Sequence, residues 1–134
     1  MQVSEVMHKD IKFANINDSI IEVASLMKRE DIGAVPIMEG DKLVGLVTDR
    51  DIVIGCVAEG HSMDESISDA MTNQVFTVNQ DQTVEEATKL MAEKQISRIV
   101  VVDKSTKPVG IISLQDLSQE SEDLTAETVS RIKQ

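Results

Sequence analysis

One seven-residue pattern occurs twice in this chain, and this duplication constrains the fold more than any other sequence feature. The pattern runs glycine, two aliphatic residues, a hydroxyl residue, two variable residues and aspartate; it is GLVTDRD at residues 45–51 and GIISLQD at residues 110–116. The aliphatic pair predicts the end of a buried strand, and the residues after the hydroxyl predict the start of a helix. We call these two strand-to-helix junctions the first and the second corner. A helix start offers unpaired backbone N–H groups and the positive end of the helix dipole, which together favour a phosphate.

Self-comparison extends the repeat well beyond the corners. Three further pairs of stretches match in the same order at an offset of 64 residues, namely 4–7 with 68–71, 19–27 with 83–91, and 32–37 with 96–101. One additional residue before the second corner changes the offset to 65 there. Ordered matches with a single insertion indicate two copies of one unit. We therefore predict a first repeat (residues 1–62), a second repeat (63–118) and an acidic C-terminal tail (119–134) whose apolar spacing is compatible with a last helix.

Local signals within each copy predict the same order of elements. A short extended segment precedes a helix opened by a capping box, Ser19 with Glu22 in the first copy and Thr83 with Glu86 in the second. Two strands joined by a turn follow, and the chain then enters a corner and a last helix. The predicted fold class is mixed α/β (α+β), with two repeated β-α-β-β-α units packed with pseudo-two-fold symmetry. Because a unit of about 60 residues buries little apolar surface alone, we expect an intertwined pair.

The core has to be built almost entirely from aliphatic side chains and methionine, because aromatic residues make up 1% of the chain. Apolar spacing of i, i+3, i+4 and i+7 predicts the buried face of each first helix. The residues concerned are Ile20, Val23, Ala24 and Met27 in the first copy and Val84, Ala87, Thr88 and Met91 in the second. We predict that these helices end near Glu30 and Lys94.

The charge of the chain excludes some classes of partner. The formal net charge is −11 at pH 7, which argues against general affinity for nucleic acid or an anionic membrane, since both require a basic surface. Cys56 is the sole cysteine of the sequence, so no intramolecular disulfide can form. No signal-peptide pattern opens the chain. We therefore expect a cytoplasmic protein with no nucleic-acid or membrane partner.

Each corner also fits a simpler interpretation. Thr48 with Asp51, and Ser113 with Asp116, have the spacing of a capping box, in which the hydroxyl caps the helix and the acid reaches back to the backbone. The two interpretations are compatible, because a hydroxyl at a helix start can serve both an N–H group and a phosphate. The corners alone therefore leave a ligand site and a capped helix both open.

Metal binding and catalysis have little support in the sequence. Cys56, His8 and His61 are the residues that a zinc site would use. Cys56 lies in an apolar helical stretch and is predicted to be a core residue, while both histidines lie in loop-like stretches, so no metal is expected. No Ser-His-Asp set with supporting motifs and no glycine-rich phosphate loop is present. The sequence thus favours a protein that is not an enzyme.

Taken together, the ordered motifs resemble a tandem pair of cystathionine-β-synthase (CBS) domains, especially small stand-alone bacterial CBS-pair proteins linked to stress response. The resemblance covers about residues 3–117 and rests on residues 5–7, 24–27, 32–37 and 45–51 with their counterparts in the second copy. It implies that clefts between the two repeats bind an adenine nucleotide (AMP, ADP or ATP) or, in some members, S-adenosylmethionine.

The resemblance also implies roles for individual residues. In the first corner, Thr48 and Arg50 would contact the phosphate and Asp51 would bind the ribose hydroxyls. In the second corner, Ser113 and Asp116 would take the same two roles. The residues implied near the bases, or as a polar contact in the extended segment, are Ala34, Val35, Pro36, Thr77, Arg98, Ile99 and Val100.

Three departures from the family pattern make the two sites unequal. Pro36 has Val100 as its counterpart, Arg50 has Gln115, and Thr77 has Phe13. The exchange of Arg50 for Gln115 removes a cation from the second corner. We therefore expect the first corner to be the better-equipped site.

These features favour a non-catalytic regulatory module that senses adenosine-type nucleotides and acts on an unknown effector protein. The resemblance implies a homodimer, and the helix after the first corner supplies its predicted surface through Ile52, Val53 and Val57. The alternative is a structural protein-interaction dimer with no small-molecule ligand, in which the corners are only capped helices. A metal-dependent enzyme is a third hypothesis.

Overall fold

The computed structural model describes residues 1–118, and these residues form two compact units. The first unit is Lys12–Val75, and the second combines Met1–Ile11 with residues 76–118. The units differ from the two sequence repeats, because the opening residues of each repeat lie in the unit of the other one. The repeat boundary at residue 62 stays a prediction about the sequence.

The first unit holds a three-stranded sheet and two helices. Its elements are β1 (Ala14–Asn15), α1 (Ile20–Glu30), β2 (Ala34–Glu39), β3 (Lys42–Thr48) and α2 (Asp49–Ile52). Strand β1 pairs in parallel with β2, which pairs antiparallel with β3. A π-helical turn, Val53–Val57, continues α2, and a 3-10 turn, Ile67–Asp69, comes later in the same unit.

The second unit repeats this arrangement. Its elements are β4 (Thr77–Asn79), α3 (Val84–Lys94), β5 (Arg98–Val102), β6 (Pro108–Ser113) and α4 (Leu114–Ser118). Strand β4 is parallel to β5 and β5 is antiparallel to β6, and the leading residues contribute a 3-10 turn, Val3–Glu5. The predicted mixed α/β class, with two β-α-β-β-α units, is confirmed.

The apolar stripes of α1 and α3 pack into the two cores as predicted. The buried members are Ile20, Val23 and Met27 in the first unit and Val84, Ala87, Thr88 and Met91 in the second. Both helices end at the predicted residues, Glu30 and Lys94. The next residue in each case has a left-handed backbone conformation, with φ of 53° at Asp31 and 57° at Gln95. Each helix therefore ends at a left-handed residue that is not glycine, the residue type most common at such positions.

The two predicted capping boxes at these helices differ in their geometry. Thr83 and Glu86 form a complete box, since the Glu86 N–H donates to the Thr83 hydroxyl at 3.1 Å and the Thr83 N–H donates to the Glu86 carboxylate at 3.4 Å. The Glu22 N–H likewise donates to the Ser19 hydroxyl at 3.2 Å. The Glu22 carboxylate, however, accepts from the Ser19 hydroxyl and not from its backbone N–H. Only half of that box forms.

Each unit is completed by the leader of the other repeat. We use "leader" for residues 1–11 and 63–75, which open the two sequence repeats and lie in the unit of the other repeat. Val3 is fully buried in the second unit, where its N–H donates to the Gln82 carbonyl at 2.8 Å. Ile67 is fully buried in the first unit, where its N–H donates to the Asp18 carbonyl at 2.8 Å. Each leader therefore packs in the unit that contains the remainder of the other repeat.

The chain after the first corner differs from the prediction. It is α-helical only to Ile52 and then π-helical, with the Ala58 N–H donating to the Val53 carbonyl at 2.9 Å. Ile52 was expected on an exposed face but is 7% exposed, because it packs into the core of the first unit together with Cys56. Val53 and Val57 are exposed as predicted. The predicted helix in the tail, and the continuation of α4 into residues 119–123, lie outside the described residues.

Candidate functional site

Thr48 and Asp51 form the centre of the first corner. Thr48 is the last residue of β3 and the N-cap of α2. The Asp51 N–H donates to Thr48 Oγ1 at 3.1 Å, and the Thr48 N–H donates to Asp51 Oδ2 at 2.9 Å. Both residues are half-buried. The interpretation of this corner as a capping box is therefore confirmed.

The backbone N–H groups of this corner are already paired. The Asp49 N–H donates to the Gly33 carbonyl at 3.0 Å, the Arg50 N–H donates to Asp49 Oδ1 at 2.9 Å, and the Asp51 N–H is taken by Thr48. The expectation of free amides that would cradle a phosphate is wrong here, because the side chains of Thr48 and Asp49 and the backbone carbonyl of Gly33 satisfy them within the chain. A ligand would have to use side-chain groups: the Thr48 O–H, the second carboxylate oxygen of Asp51 and the Arg50 guanidinium.

The strand register brings the remaining candidates of the first unit to the same corner. Ala34 is the cross-strand partner of Thr48, Val35 of Val47, and Pro36 of Leu46. Ala34, Val35 and Pro36 are all buried. The start of β2 therefore supplies an apolar, extended backbone beside the polar groups of the corner.

The second corner has the same construction. Ser113 ends β6, and Asp116 lies in the first turn of α4. The Asp116 N–H donates to Ser113 Oγ at 3.2 Å, and the Ser113 N–H donates to Asp116 Oδ2 at 2.9 Å. The Leu114 N–H donates to the Ser97 carbonyl at 3.1 Å, as Asp49 does to Gly33 in the first unit. Each corner thus pairs a hydroxyl with a carboxylate.

The candidates on the strands of the second unit also converge on its corner. Arg98 is the cross-strand partner of Ser113, Ile99 is that of Ile112, and Val100 pairs with Ile111 on one side. On its other side, Val100 pairs with Thr77 of β4. The side chain of Thr77 is exposed, while Ile99 and Val100 are buried. The structure therefore divides the predicted residues into two sets, one in each unit.

Each corner contains one arginine, but on different elements. Arg50 lies on α2 in the first unit, where the second unit has Gln115 on α4. Arg98 opens β5 opposite Ser113, where the first unit has Ala34 opposite Thr48. The helix of the second corner therefore has no counterpart of Arg50, while Arg98 lies on the strand that pairs with Ser113. The expectation that the first corner is the better-equipped site stays a prediction. Within residues 1–118, neither Arg50 nor Arg98 forms an ion pair.

Phe13, the counterpart of Thr77, is 43% exposed and comes directly before β1. It lines a surface cavity of about 390 Å³ together with six residues at the start and along one side of α1: Asp18, Ile21, Glu22, Ser25, Leu26 and Arg29. None of the corner candidates lines this cavity.

Cys56 is a core residue, as predicted, and is 1% exposed. Burial raises the pKa of its thiol above the usual value, and the negative charges of Asp69, Glu65 and Asp51 add to that shift.

Of the two histidines, His8 is exposed and His61 is within 3.1 Å of the Glu65 carboxylate. Residues 1–118 contain no cluster of three or more His, Cys, Asp or Glu side chains arranged to hold a metal ion. In the same residues, no helix combines the length and apolar character that crossing a membrane requires.

A comparison with protein families decides the relationship that the two corners suggest. The model of the CBS domain matches the chain twice, at residues 3–56 and at residues 67–123. The chain belongs to the CBS domain family. The two CBS matches each include one corner and the strands that face it.

Related CBS sequences come from archaea and bacteria. Protein MK0525 of Methanopyrus kandleri is 39% identical over 121 residues, which is 89% of this chain and 62% of that protein. The CBS domain-containing protein YhcV of Bacillus subtilis is 36% identical over 116 residues, which is 87% of this chain and 82% of that protein. The chain thus spans less than two thirds of the Methanopyrus protein and most of the Bacillus one.

Among solved structures, the CBS domain pair of protein MJ0100 is similar to this chain. Its structure was determined in complex with 5′-methylthioadenosine and S-adenosyl-L-methionine. It is 32% identical, has a TM-score of 0.79, and the comparison covers 89% of this chain and 94% of that one.

Sequence reasoning missed two parts of the corners. The first is the pair of carbonyls, of Gly33 and Ser97, that take up the first helical N–H at each corner. Any residue type supplies a carbonyl, so no sequence signal marks them. The second is the placement of Arg98 opposite Ser113, which would have required an exact strand register.

Proposed function

We propose that this CBS pair is a non-catalytic regulatory module that binds adenosine-type ligands, with AMP, ADP or ATP as the main class, at its two corners. One observation carries the proposal. At each corner, a hydroxyl, a carboxylate and an arginine come from residues at the same end of a sheet, beside buried strand backbone. Within residues 1–118, neither arginine has an ion-pair partner.

The atoms that remain available fit such a ligand. Thr48 Oγ1 accepts from a backbone amide but keeps its own proton to donate to a phosphate oxygen. Asp51 uses Oδ2 to hold the cap, and its other oxygen accepts from a ribose hydroxyl. Arg50 supplies charge-assisted hydrogen bonds to the phosphate, and the backbone of Ala34–Pro36 frames the base. In the second corner, Ser113, Asp116 and Arg98 supply the same chemistry, with Ile99, Val100 and Thr77 beside them.

The arginines determine which adenosine ligand is preferred. MJ0100 is a related CBS pair that binds S-adenosylmethionine and 5′-methylthioadenosine, which supports adenosine as the shared part of the ligand. At both corners of this chain, a guanidinium favours a phosphate over the cationic sulfonium of S-adenosylmethionine. The chain carries a formal charge of −11, so these two local cations have to offset an unfavourable overall field.

Regulation follows from the difference in affinity between conformations. A ligand that binds one arrangement of the protein more tightly shifts the population toward it, and an effector protein responds to that shift.

We propose a homodimer in which Val53, Ile54 and Val57 form part of the contact. These three side chains are 58%, 48% and 57% exposed, and they are consecutive or one turn apart on the π-helical turn. An exposed apolar face of this kind favours association.

A thermal-shift panel tests the proposal. AMP, ADP, ATP, S-adenosylmethionine and 5′-methylthioadenosine are each added at millimolar concentration, and a ligand at 100 times its Kd stabilises by about 2.7 kcal/mol. We expect the nucleotides to raise the Tm, and the Asp51→Ala/Asp116→Ala variant to lose the shift. If none of the five ligands changes the Tm, the alternative of a structural interaction dimer with capped helices is favoured.

The arginines are tested with matched ligands and a matched control. Arg50→Gln and Arg98→Gln should each weaken AMP binding while leaving 5′-methylthioadenosine, which has no phosphate, unaffected. Arg29→Gln changes an arginine of α1 away from both corners and should alter neither ligand. Equal loss of both ligands in the Arg50 and Arg98 variants would argue against a phosphate contact.

A further inference from the structure

Two methionines, Met7 and Met71, each lie in a leader and occupy the space that a side chain would take at the glycine opening each corner motif. A methyl group added at Gly45 would lie 2.5 Å from Met71 Sδ and 3.0 Å from its Cγ. A methyl group added at Gly110 would lie 2.5 Å from Met7 Sδ and 2.9 Å from its Cγ. Neither glycine has a positive φ. A side chain at either glycine would have to displace the methionine, so these glycines make room for a thioether and do not serve a turn.

The same contacts hold the leaders in place. Beside Met71, Thr72 and Leu46 exchange two backbone hydrogen bonds of 2.9 and 3.2 Å. Beside Met7, His8 and Ile111 exchange two of 2.9 and 3.1 Å. Each methionine thus lies where a leader joins the last strand of the unit that it completes. The arrangement occurs independently in both units.

The chemistry of the thioether makes this contact sensitive to oxidation. Met7 and Met71 are only half-buried, so a small oxidant reaches them, whereas Met91 is fully buried and Met27 is 8% exposed. Oxidation converts an apolar sulfur into a polar sulfoxide that requires a hydrogen-bond donor. The three atoms closest to the added methyl group include one backbone oxygen, the carbonyl of Thr72 at Gly45 or of His8 at Gly110, which accepts hydrogen bonds and cannot donate them.

We propose that Met7 and Met71 are a pair of oxidation sites, and that their conversion to sulfoxide by a peroxide releases each leader from its unit. In the reaction with hydrogen peroxide, the sulfur lone pair forms an S–O bond to one peroxide oxygen and the O–O bond breaks. The departing hydroxide takes the proton left on the transferred oxygen and leaves as water. Sulfur loses two electrons and the peroxide gains them. A reductase that acts on methionine sulfoxide reverses the change.

The test compares the Tm before and after peroxide, with mass spectrometry used to locate each sulfoxide. We expect the wild-type protein to lose roughly 5 °C or more of Tm in step with oxidation of Met7 and Met71. Treatment with methionine sulfoxide reductase should restore the Tm. The Met7→Leu/Met71→Leu variant should keep its Tm in peroxide, because leucine fills a similar volume and is not oxidised.

A matched variant and the wild-type time course keep the test decisive. Met38→Leu/Met63→Leu removes two other half-buried methionines, neither of which is among the atoms closest to Gly45 or Gly110, and should lose as much Tm in peroxide as the wild type. A wild-type protein with both sites oxidised and an unchanged Tm would overturn the proposal, and so would equal loss in the Met7/Met71 variant. If that variant does not fold, the site-resolved time course in the wild type decides alone.

Discussion

Thr48 and Asp51 bind each other twice, through the Asp51 N–H to Thr48 Oγ1 at 3.1 Å and the Thr48 N–H to Asp51 Oδ2 at 2.9 Å. The two side chains therefore hold the start of α2 and at the same time keep one donor and one acceptor available. A capped helix and a ligand site are not competing descriptions of this corner, because they use different atoms of the same residues.

Substitutions of Asp51 separate the two roles. In Asp51→Asn, the amide oxygen still accepts from the Thr48 N–H, so the Tm should change little. Asp51→Ala removes that acceptor and should lower the free energy of unfolding by about 1 kcal/mol. If the proposed function is correct, both variants lose nucleotide affinity, by at least about tenfold for Asp51→Asn, because the ribose no longer binds a charged acceptor. Urea unfolding and calorimetric titration measure the two effects.

The Asp116→Asn and Asp116→Ala pair is the control for the second corner, where Asp116 makes the same two bonds with Ser113. Stability losses without any change in ligand affinity, at both corners, would leave only the capping role.

The exchange of leaders predicts that a residue in the sequence of the second repeat supports the core of the first. Ile67 is fully buried in the first unit. Ile67→Ala should therefore cost about 2–5 kcal/mol, and Ile67→Val about 0.5–1.5 kcal/mol. Hydrogen exchange should accelerate in β2 and β3, which belong to the same unit. Acceleration confined to β5 and β6 would contradict the assignment of this leader.

Two glycines near the π-helical turn should respond to alanine in opposite directions. A methyl group at Gly55 meets no atom within 4 Å, and its φ is not positive. Gly55→Ala should stabilise by up to about 1 kcal/mol, since glycine is unfavourable inside a helix. Gly60 has φ of 75°, so Gly60→Ala should destabilise by about 1–2 kcal/mol. Thermal melting of the two variants compares them directly, and a lower Tm for Gly55→Ala would show that the turn depends on glycine.

The buried thiol of Cys56 predicts a loss of stability at alkaline pH. Burial, followed by the charges of Asp69, Glu65 and Asp51, raises the pKa of this thiol in the folded protein. The unfolded chain therefore loses the proton at lower pH than the folded one. The contribution of the protonated Cys56 thiol to stability is complete below its pKa in the unfolded chain. It disappears as the pH rises toward its pKa in the folded protein. Urea unfolding of the wild type and of Cys56→Ala from pH 7 to pH 10 should show a difference that changes with pH. A constant difference would contradict the prediction.

The sequence predicted the elements of this fold well, because their signals are local. The stripes on α1 and α3 follow from side chains that recur at helical spacing, and the ends at Glu30 and Lys94 follow from where that spacing stops. The strands that face the corners also follow the first helix of each copy in the order that the local signals predicted. The π-helical turn was not predicted, since it inserts one residue into a helical hydrogen-bond pattern without changing the type of residue used.

The candidate site was predicted in its residues but not in its chemistry. The spacing of Thr48 and Asp51 was sufficient to identify a capped corner. It was not sufficient to show that the amides of Asp49 and Arg50 are already occupied, because one of their acceptors is the backbone carbonyl of Gly33, just before β2. Likewise, the comparison of Arg50 with Gln115 predicted unequal corners, but it did not show that Arg98 pairs with Ser113 across the sheet.

The sequence by itself determined that this protein is built from two copies of one unit, with a hydroxyl and a carboxylate at each corner. Repetition and short spacing are properties of the chain, so no coordinates are needed to find them. Only the tertiary structure decided which unit each leader completes and which residue pairs with each corner hydroxyl across the sheet. These depend on long-range backbone pairing, as between His8 and Ile111, which joins residues far apart in the sequence and leaves no local pattern in it.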